Sequence, residues 1–330
     1  MPRVSVGIPV HNGERFLPGA LDSIVGQSFA DLEICIADNA STDGTWEICR
    51  AYALRDPRIR LHREPVNQGA ARNYNRVFEM ASGAYFMWAA ADDLCAPTKI
   101  ERCVAALDRD AELVLAYPRT TIIDADGTVL GSYQDQLDLR DRSAVRRFAL
   151  LMRHLRECNA VWGVMRTAVL RETDLIGNYP SSDLVLLAQM ALRGRFHEVP
   201  EHLFWRRDHA GQSVRKHPTP RSRVGWFDPA RAGRLVFPTW RLWAEYGRAI
   251  RRAPLSRREQ LGCLLQSAWW LRRKYLEMLR EVAFALTHPI GAARRAARMI
   301  EAGASDAPAS TARRSGISCR DHSSMMSDDL

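Results

Sequence analysis

Four short polar segments hold the residue types that could do chemistry. Asp92-Asp93 follows the apolar run Ala84–Ala91. Two adjacent carboxylates after a strand can hold a hard divalent cation whose shell is completed by water and diphosphate oxygens. The same pair suits a polar turn in which an Asp caps the next helix. Asp38 ends the run Leu32–Asp38 and precedes the turn Asn39-Ala40-Ser41-Thr42-Asp43-Gly44. A carboxylate there can accept hydrogen bonds from a nucleobase or a ribose hydroxyl, or close an Asx turn. In Asn67-Gln68-Gly69-Ala70-Ala71-Arg72-Asn73, Gly69 permits close backbone approach and the following helix offers free N–H groups. Arg72, one turn in, can reach a phosphate or a base, or lie solvated on the helix surface. The fourth segment, Pro9-Val10-His11-Asn12, closes the first strand-like run. No G-x-G-x-x-G sequence accompanies them, which counts against a dinucleotide-binding unit of the common kind.

Groups this far apart in sequence converge only if the elements between them place each at the same edge of one sheet. The hydrophobic pattern supplies such elements. Short apolar runs at Val4–Val10, Leu32–Asp38, Ile59–Leu61, Ala84–Ala91 and Leu113–Tyr117 read as strands. Helical spacing separates them, at 16–25, from Thr45, at 70–80 and after Pro97. The alternation predicts a mostly parallel, Rossmann-like α/β sheet sandwiched by helices, with the four polar segments at the C-terminal strand ends where such sheets bind ligands. Beyond it the pattern predicts a hairpin around Asp124–Gly127 and helices over 143–155 and 181–192. Two short strands are predicted at 196–199 and 203–206, and a long basic helix over 257–286.

Composition bounds the rest. The chain has 330 residues, 46% hydrophobic and 26% charged, which excludes a mainly disordered, collagenous or coiled-coil protein. The net charge of +9 is unevenly spread: residues 1–200 hold 23 basic and 26 acidic residues, residues 201–330 hold 24 and 12. The positive field of the C-terminal part favours anionic partners without choosing among them. Seven scattered cysteines without a C-x-x-C pair argue against a disulfide framework or thiolate zinc site and predict a reducing, cytoplasmic setting. The N-terminus lacks a signal-peptide pattern, and no uninterrupted apolar run reaches ~18 residues.

Taken together, Pro9-Val10-His11-Asn12-Gly13-Glu14, Asp38-Asn39-Ala40-Ser41-Thr42-Asp43-Gly44-Thr45, Asn67–Asn73 and Asp92-Asp93 resemble, in order and spacing, the family-2 glycosyltransferases of GT-A fold. The resemblance covers roughly residues 3–215. It implies an inverting enzyme that uses a nucleotide-diphosphate sugar and Mn²⁺ or Mg²⁺. Carried over residue by residue, it places Pro9, Asn12, Glu14, Asp38, Asn67, Gly69 and Arg72 against the nucleotide sugar, with ribose and metal on Asp92 and Asp93. Two further segments extend it. Tyr179-Pro180-Ser181-Ser182-Asp183-Leu184 is similar to the family's acceptor-side motif, which makes Asp183 the expected general base. Phe204–Ser213 is similar to an R-x-H-x-x-x-S stretch near the donor phosphates, which adds His209. The sequence departs from the family where Ser182 replaces a frequent Glu and where Ala90-Ala91 precede the acid pair, so either Asp92 or Asp93 suits the primary metal ligand.

The implied reaction transfers a sugar to a carbohydrate or lipid-linked carbohydrate acceptor in cell-envelope polysaccharide or glycolipid synthesis. The competing readings are a nucleotidyltransferase and a non-catalytic nucleotide-sugar-binding module. Three segments are expected: a GT-A catalytic domain over 1–235, a basic helical extension over 236–302 and a disordered tail over 303–330. Arg and Trp interleaved in the extension suit a peripheral contact with an anionic membrane on its inner face, or helices packed on the catalytic domain with a solvated Arg face. No recognisable nucleic-acid-binding motif is present, and no nucleic-acid partner is expected.

Overall fold

A computed structural model describes residues 1–217, 220–232 and 234–287. Among these, nine strands form one sheet: β1 (Val4–Val10), β2 (Leu32–Asp38), β3 (Ile59–Arg63), β4 (Tyr85–Trp88), β5 (Leu94–Cys95), β6 (Leu113–Ile123), β7 (Val129–Tyr133), β8 (Val164–Arg166) and β9 (Arg195–Arg207). Their order is β3-β2-β1-β4-β8-β6-β9-β5, with β7 on β6. β1, β2, β3, β4, β6 and β9 run one way; β5, β7 and β8 run against them. The helices are α1 (Leu17–Val25), α2 (Thr45–Arg55), α3 (Ala70–Glu79), α4 (Lys99–Arg109), α5 (Ala144–His154), α6 (Thr167–Leu170), α7 (Ser182–Arg193), α8 (Ser213–Lys216), α9 (Pro220–Phe227), α10 (Pro238–Arg252) and α11 (Arg257–Thr287).

Every residue of β1 and β2 is buried, the signature of parallel strands covered on both faces. Val4, Val6, Ile8 and Val10 pack with Leu17, Leu21 and Ile24 of α1 and with Ile100, Val104 and Leu107 of α4. On the opposite face Ala37, Phe86 and Trp88 join Val77 of α3, Phe148 of α5 and Leu186 of α7. Gly7 faces that second layer. A Cβ there would fall 2.7 Å from side-chain carbons of both Phe86 and Val77, so α3 approaches the sheet as closely as it does only over a glycine.

The structure differs from the sequence pattern in two places. The two short strands expected at 196–199 and 203–206 are one strand, β9, parallel to β6. Val199 pairs with Pro118 and His202 with Arg119, so Pro200 and Glu201 bulge out of a ladder that resumes beyond them. The run 84–91 is strand only over Tyr85–Trp88, and Ala89–Ala91 lead out to the acidic turn. The described part of the basic extension shares the main core: Tyr246, Ala249 and Ile250 of α10 and Cys263 of α11 pack among the residues of α5 and α7. The six cysteines of the described residues are free thiols. The tail expected over 303–330 and residues 288–302 of the extension lie outside the described residues.

Candidate active site

The loops after β1 and β2 are tied to each other. Asn12, at a φ of 51°, donates its backbone N–H to Ser41 Oγ (2.9 Å) and accepts the Thr42 N–H on Oδ1 (2.8 Å). Gly13 N–H donates to Thr45 Oγ1 (2.8 Å), and Glu14 Oε2 accepts the Gly44 N–H (2.7 Å). Glu14 therefore fastens the two loops and does not line the main cleft described below. Asp38 is wholly buried at the end of β2; Oδ1 accepts the Ser41 N–H (3.1 Å) and Oδ2 lies 3.1 Å from Arg63 Nε. Arg63 also donates to Ser41 O (3.0 Å) and lies over the Trp46 ring, 5.2 Å from its centroid. Ser41 and Arg63, the two partners of Asp38, line a crevice of about 440 Å³ with Glu64 and Pro65.

The third strand end closes onto the second. Asn67 Oδ1 accepts from Asn39 Nδ2 (2.9 Å) and from Gly69 N–H (2.8 Å), while Asn39 Oδ1 accepts the Gln68 N–H (2.8 Å). Gly69 has a φ of 85°, and a Cβ there would fall 2.6 Å from Phe227 O and Pro229 Cδ. Its close approach is thus to the chain after α9. Arg72 is exposed, pairs with Glu79 (2.5 Å) and is not among the residues lining either cavity.

A cleft of about 760 Å³ gathers the strand ends: Pro9, Asn12, Asn39 and Asn67 on one side, Asp92, Asp93 and His209 on another. β5 explains the meeting. Its antiparallel pairing with β9, Leu94 opposite Trp205, sets the Asp92-Asp93 turn against residues more than a hundred positions downstream. His209 Nε2 lies 3.0 Å from Asp92 Oδ2, and its ring packs on Phe16 with centroids 4.5 Å apart. Arg207, largely buried, donates its backbone N–H to Asp93 Oδ1 (2.8 Å) and its guanidinium to the carbonyls of Asp92 (3.0 Å), Asp124 (3.0 Å) and Ala125 (2.9 Å). Burial first, and the neighbouring Asp92 second, raise the Asp93 carboxyl well above the usual carboxylate range. No group of three or more His, Cys, Asp or Glu side chains suited to a metal occurs among the described residues. Asp92 and His209, at an open cleft, could supply two ligands to a cation whose remaining positions are open to water.

Asp183 lies in the first turn of α7, after Ser181 at a φ of 63°. Its carboxylate accepts the Leu184 N–H (3.0 Å), and the Cys158 thiol acts on it to favour the charged form. Burial raises its pKa, against the Cys158 and backbone hydrogen bonds and the charge of Arg223. Asp183 is not among the residues lining the cleft. Tyr74, which does line the cleft, has its hydroxyl pushed up by burial and then by the charges of Asp92, Asp183 and Asp93. Tyr74 lines the cleft beside Trp162, with ring centroids 6.2 Å apart, and Glu157, next to Cys158, lines it too. Sequence reading did not find Tyr74, Glu157, Cys158 or Trp162, which sit in no motif and read as ordinary helix, loop or core positions. Nor did it find Asp135. That carboxyl is buried with no hydrogen bond of ordinary geometry among the described residues, and burial pushes it up to about 7, with Asn159 opposing.

A family model described as glycosyl transferase family 2 matches residues 5–170. Chondroitin synthase of Pasteurella multocida (strain Pm70) is 30% identical over 132 residues, 40% of this chain and 14% of that protein. The putative glycosyltransferase EpsE of Bacillus subtilis (strain 168) is 37% identical over 109 residues, 33% of this chain and 39% of that protein. The chain thus matches less than half the length of either relative. Among solved structures, S. aureus TarS 1–349 in complex with UDP-GlcNAc aligns with a TM-score of 0.60 at 18% identity, over 86% of this chain and 75% of that one. The α/β fold of GT-A type expected from the sequence is the fold found.

Proposed function

The chain belongs to glycosyl transferase family 2, and on that premise we propose that it is an inverting transferase moving a sugar from a nucleotide-diphosphate donor to a hydroxyl of a carbohydrate or lipid-linked carbohydrate acceptor. The observation that carries this reading is the single cleft in which Pro9, Asn12, Asn39 and Asn67 meet Asp92 and His209. The adjoining crevice at Ser41 and Arg63, backed by the Asp38 carboxylate, suits a nucleobase with an imide N–H to donate. Arg206 and Lys216, which line the cleft, suit the diphosphate.

Asp92 and His209 would hold Mn²⁺ or Mg²⁺, with Asp93 set by the Arg207 N–H and Asp92 placed by the Arg207 guanidinium. When bound, the cation neutralises charge developing on the departing diphosphate. The acceptor oxygen forms its bond to the anomeric carbon as the bond to the diphosphate oxygen breaks. Asp183 takes the hydroxyl proton, and the raised affinity of its buried carboxylate for a proton makes it a stronger base than an exposed carboxylate. A role in polysaccharide synthesis is supported by the likeness to a chondroitin synthase.

The test has two arms. A panel of nucleotide sugars is scored for thermal stabilisation, where a true donor at ~100 Kd adds ~2.7 kcal/mol. Turnover is then followed as released nucleoside diphosphate; released pyrophosphate would identify a nucleotidyltransferase instead. Asp183→Asn should lower kcat by ~10²–10⁴ with donor-induced stabilisation intact. Wild-type turnover in Asp183→Asn would remove the base assignment.

A further inference from the structure

α11 carries apolar residues on two opposite faces. Its inner stripe, Cys263, Ser267 and Met278, is buried against the rest of the fold. At 100° per residue, the opposite ~140° of surface carries Leu261, Leu265, Trp269, Leu276, Leu279 and Leu286. All six are exposed; Leu265 is 62%, Leu279 57% and Leu286 80% accessible. Isolated exposed leucines need no explanation, but leucines recurring on one face along a helix mark an interaction surface.

The charges choose the partner. Arg258 and Arg272 lie within the same exposed stripe, both solvent-facing. The acids of the helix point elsewhere and are engaged: Glu259 accepts from Ser256, Glu277 pairs with Lys274 and Glu281 accepts from Thr239. An acid-free, Arg-studded apolar stripe is complementary to an anionic bilayer surface, where leucines enter the acyl boundary and arginines extend to lipid phosphates. It is poorly complementary to a second copy of itself. An antiparallel pairing about the helix centre would set Arg272 against its own counterpart and bury like charges. No helix among the described residues is long and apolar enough to cross a membrane, so the helix would lie on the surface. We propose that the outer face of α11 docks the protein on anionic membrane. The proposal does not depend on the transfer reaction.

The experiment uses the full chain with vesicles of phosphatidylcholine alone and with roughly a third phosphatidylglycerol, read by co-sedimentation. The wild type is expected to pellet with the anionic vesicles and to stay in the supernatant with the neutral ones. Leu265→Gln/Leu279→Gln should cut partitioning about tenfold, and Arg258→Glu/Arg272→Glu by more than fivefold for each arginine, with raised salt acting in the same sense. These side chains are exposed, so the circular-dichroism melt of both variants should match the wild type. Equal partitioning on the two vesicle types, or none, would overturn the proposal. So would a lipid-free dimer in analytical ultracentrifugation that Leu265→Gln/Leu279→Gln dissociates, because a second copy would then cover the face.

Discussion

Asp183 holds its proton more tightly than an exposed carboxylate because burial outweighs the Cys158 thiol, the backbone N–H groups and Arg223. If it is the base, kcat/KM should rise with pH through a single ionisation placed above the usual Asp value of ~3.9. A midpoint at or below that value in a pH–rate profile would contradict the assignment. Asp135 offers a separate pH test. Its folded pKa is raised to about 7, so the folded state keeps a proton that the unfolded state releases near pH ~3.9. Its contribution to stability is complete below that pH and is lost as pH climbs toward 7. Asp135→Asn removes this slope. Relative to wild type, the variant should gain stability between pH 4 and pH 7.5, and melting temperatures across that range would show it. A constant difference would mean that Asp135 ionises like an exposed group.

The elements place the site by approach distances that tolerate little. β1 and α3 meet over Gly7, where a Cβ would fall 2.7 Å from Phe86 and Val77. Gly7→Ala should therefore destabilise the fold by about 1–3 kcal/mol, as overpacking does, despite alanine's lower chain entropy in the unfolded state. Urea unfolding measures this; an unchanged midpoint would show that α3 can shift without cost. β5 has only two residues, yet its register with β9 sets Asp92 beside His209. The Arg207 guanidinium then joins the 92–93 and 124–125 turns through three carbonyls. The acidic turn is held by hydrogen bonds from β9 and not by its own sequence.

At the scale of the whole molecule, α10 and α11 share one packed core with the sheet and the helices that cover it. Tyr246 and Ile250 are almost wholly buried in the core that also contains Phe148 and Leu186. Fully burying each such side chain contributes ~1.5–3 kcal/mol, a large share of a typical domain stability. A chain ended at residue 236 should accordingly lose cooperative unfolding or aggregate, in contrast to a chain whose extension were an independent module. Calorimetry of the shortened protein would distinguish the two. Burial, then Cys158 and Asp183, push the Tyr246 hydroxyl up, so this residue of α10 lies within range of the Asp183 charge.

The sequence by itself determined most of the elements and the chemical types at their ends. The boundaries of β2, α2 and α3 follow from local hydrophobic period and turn residues, and Asp38, Asn67 and the Asp92-Asp93 turn fall at strand ends because strands stop where polar turn residues begin. Only the tertiary structure decided which of these groups meet. Asp92 acquires His209 through the pairing of β5 with β9, and Arg72 turns to Glu79. Glu14 ties loops together, and Asp183 comes to neighbour Cys158 and Tyr74. Local pattern encodes the period of an element and its ends. Proximity between residues a hundred positions apart depends on strand order, register and packing distance, which no single stretch of sequence contains.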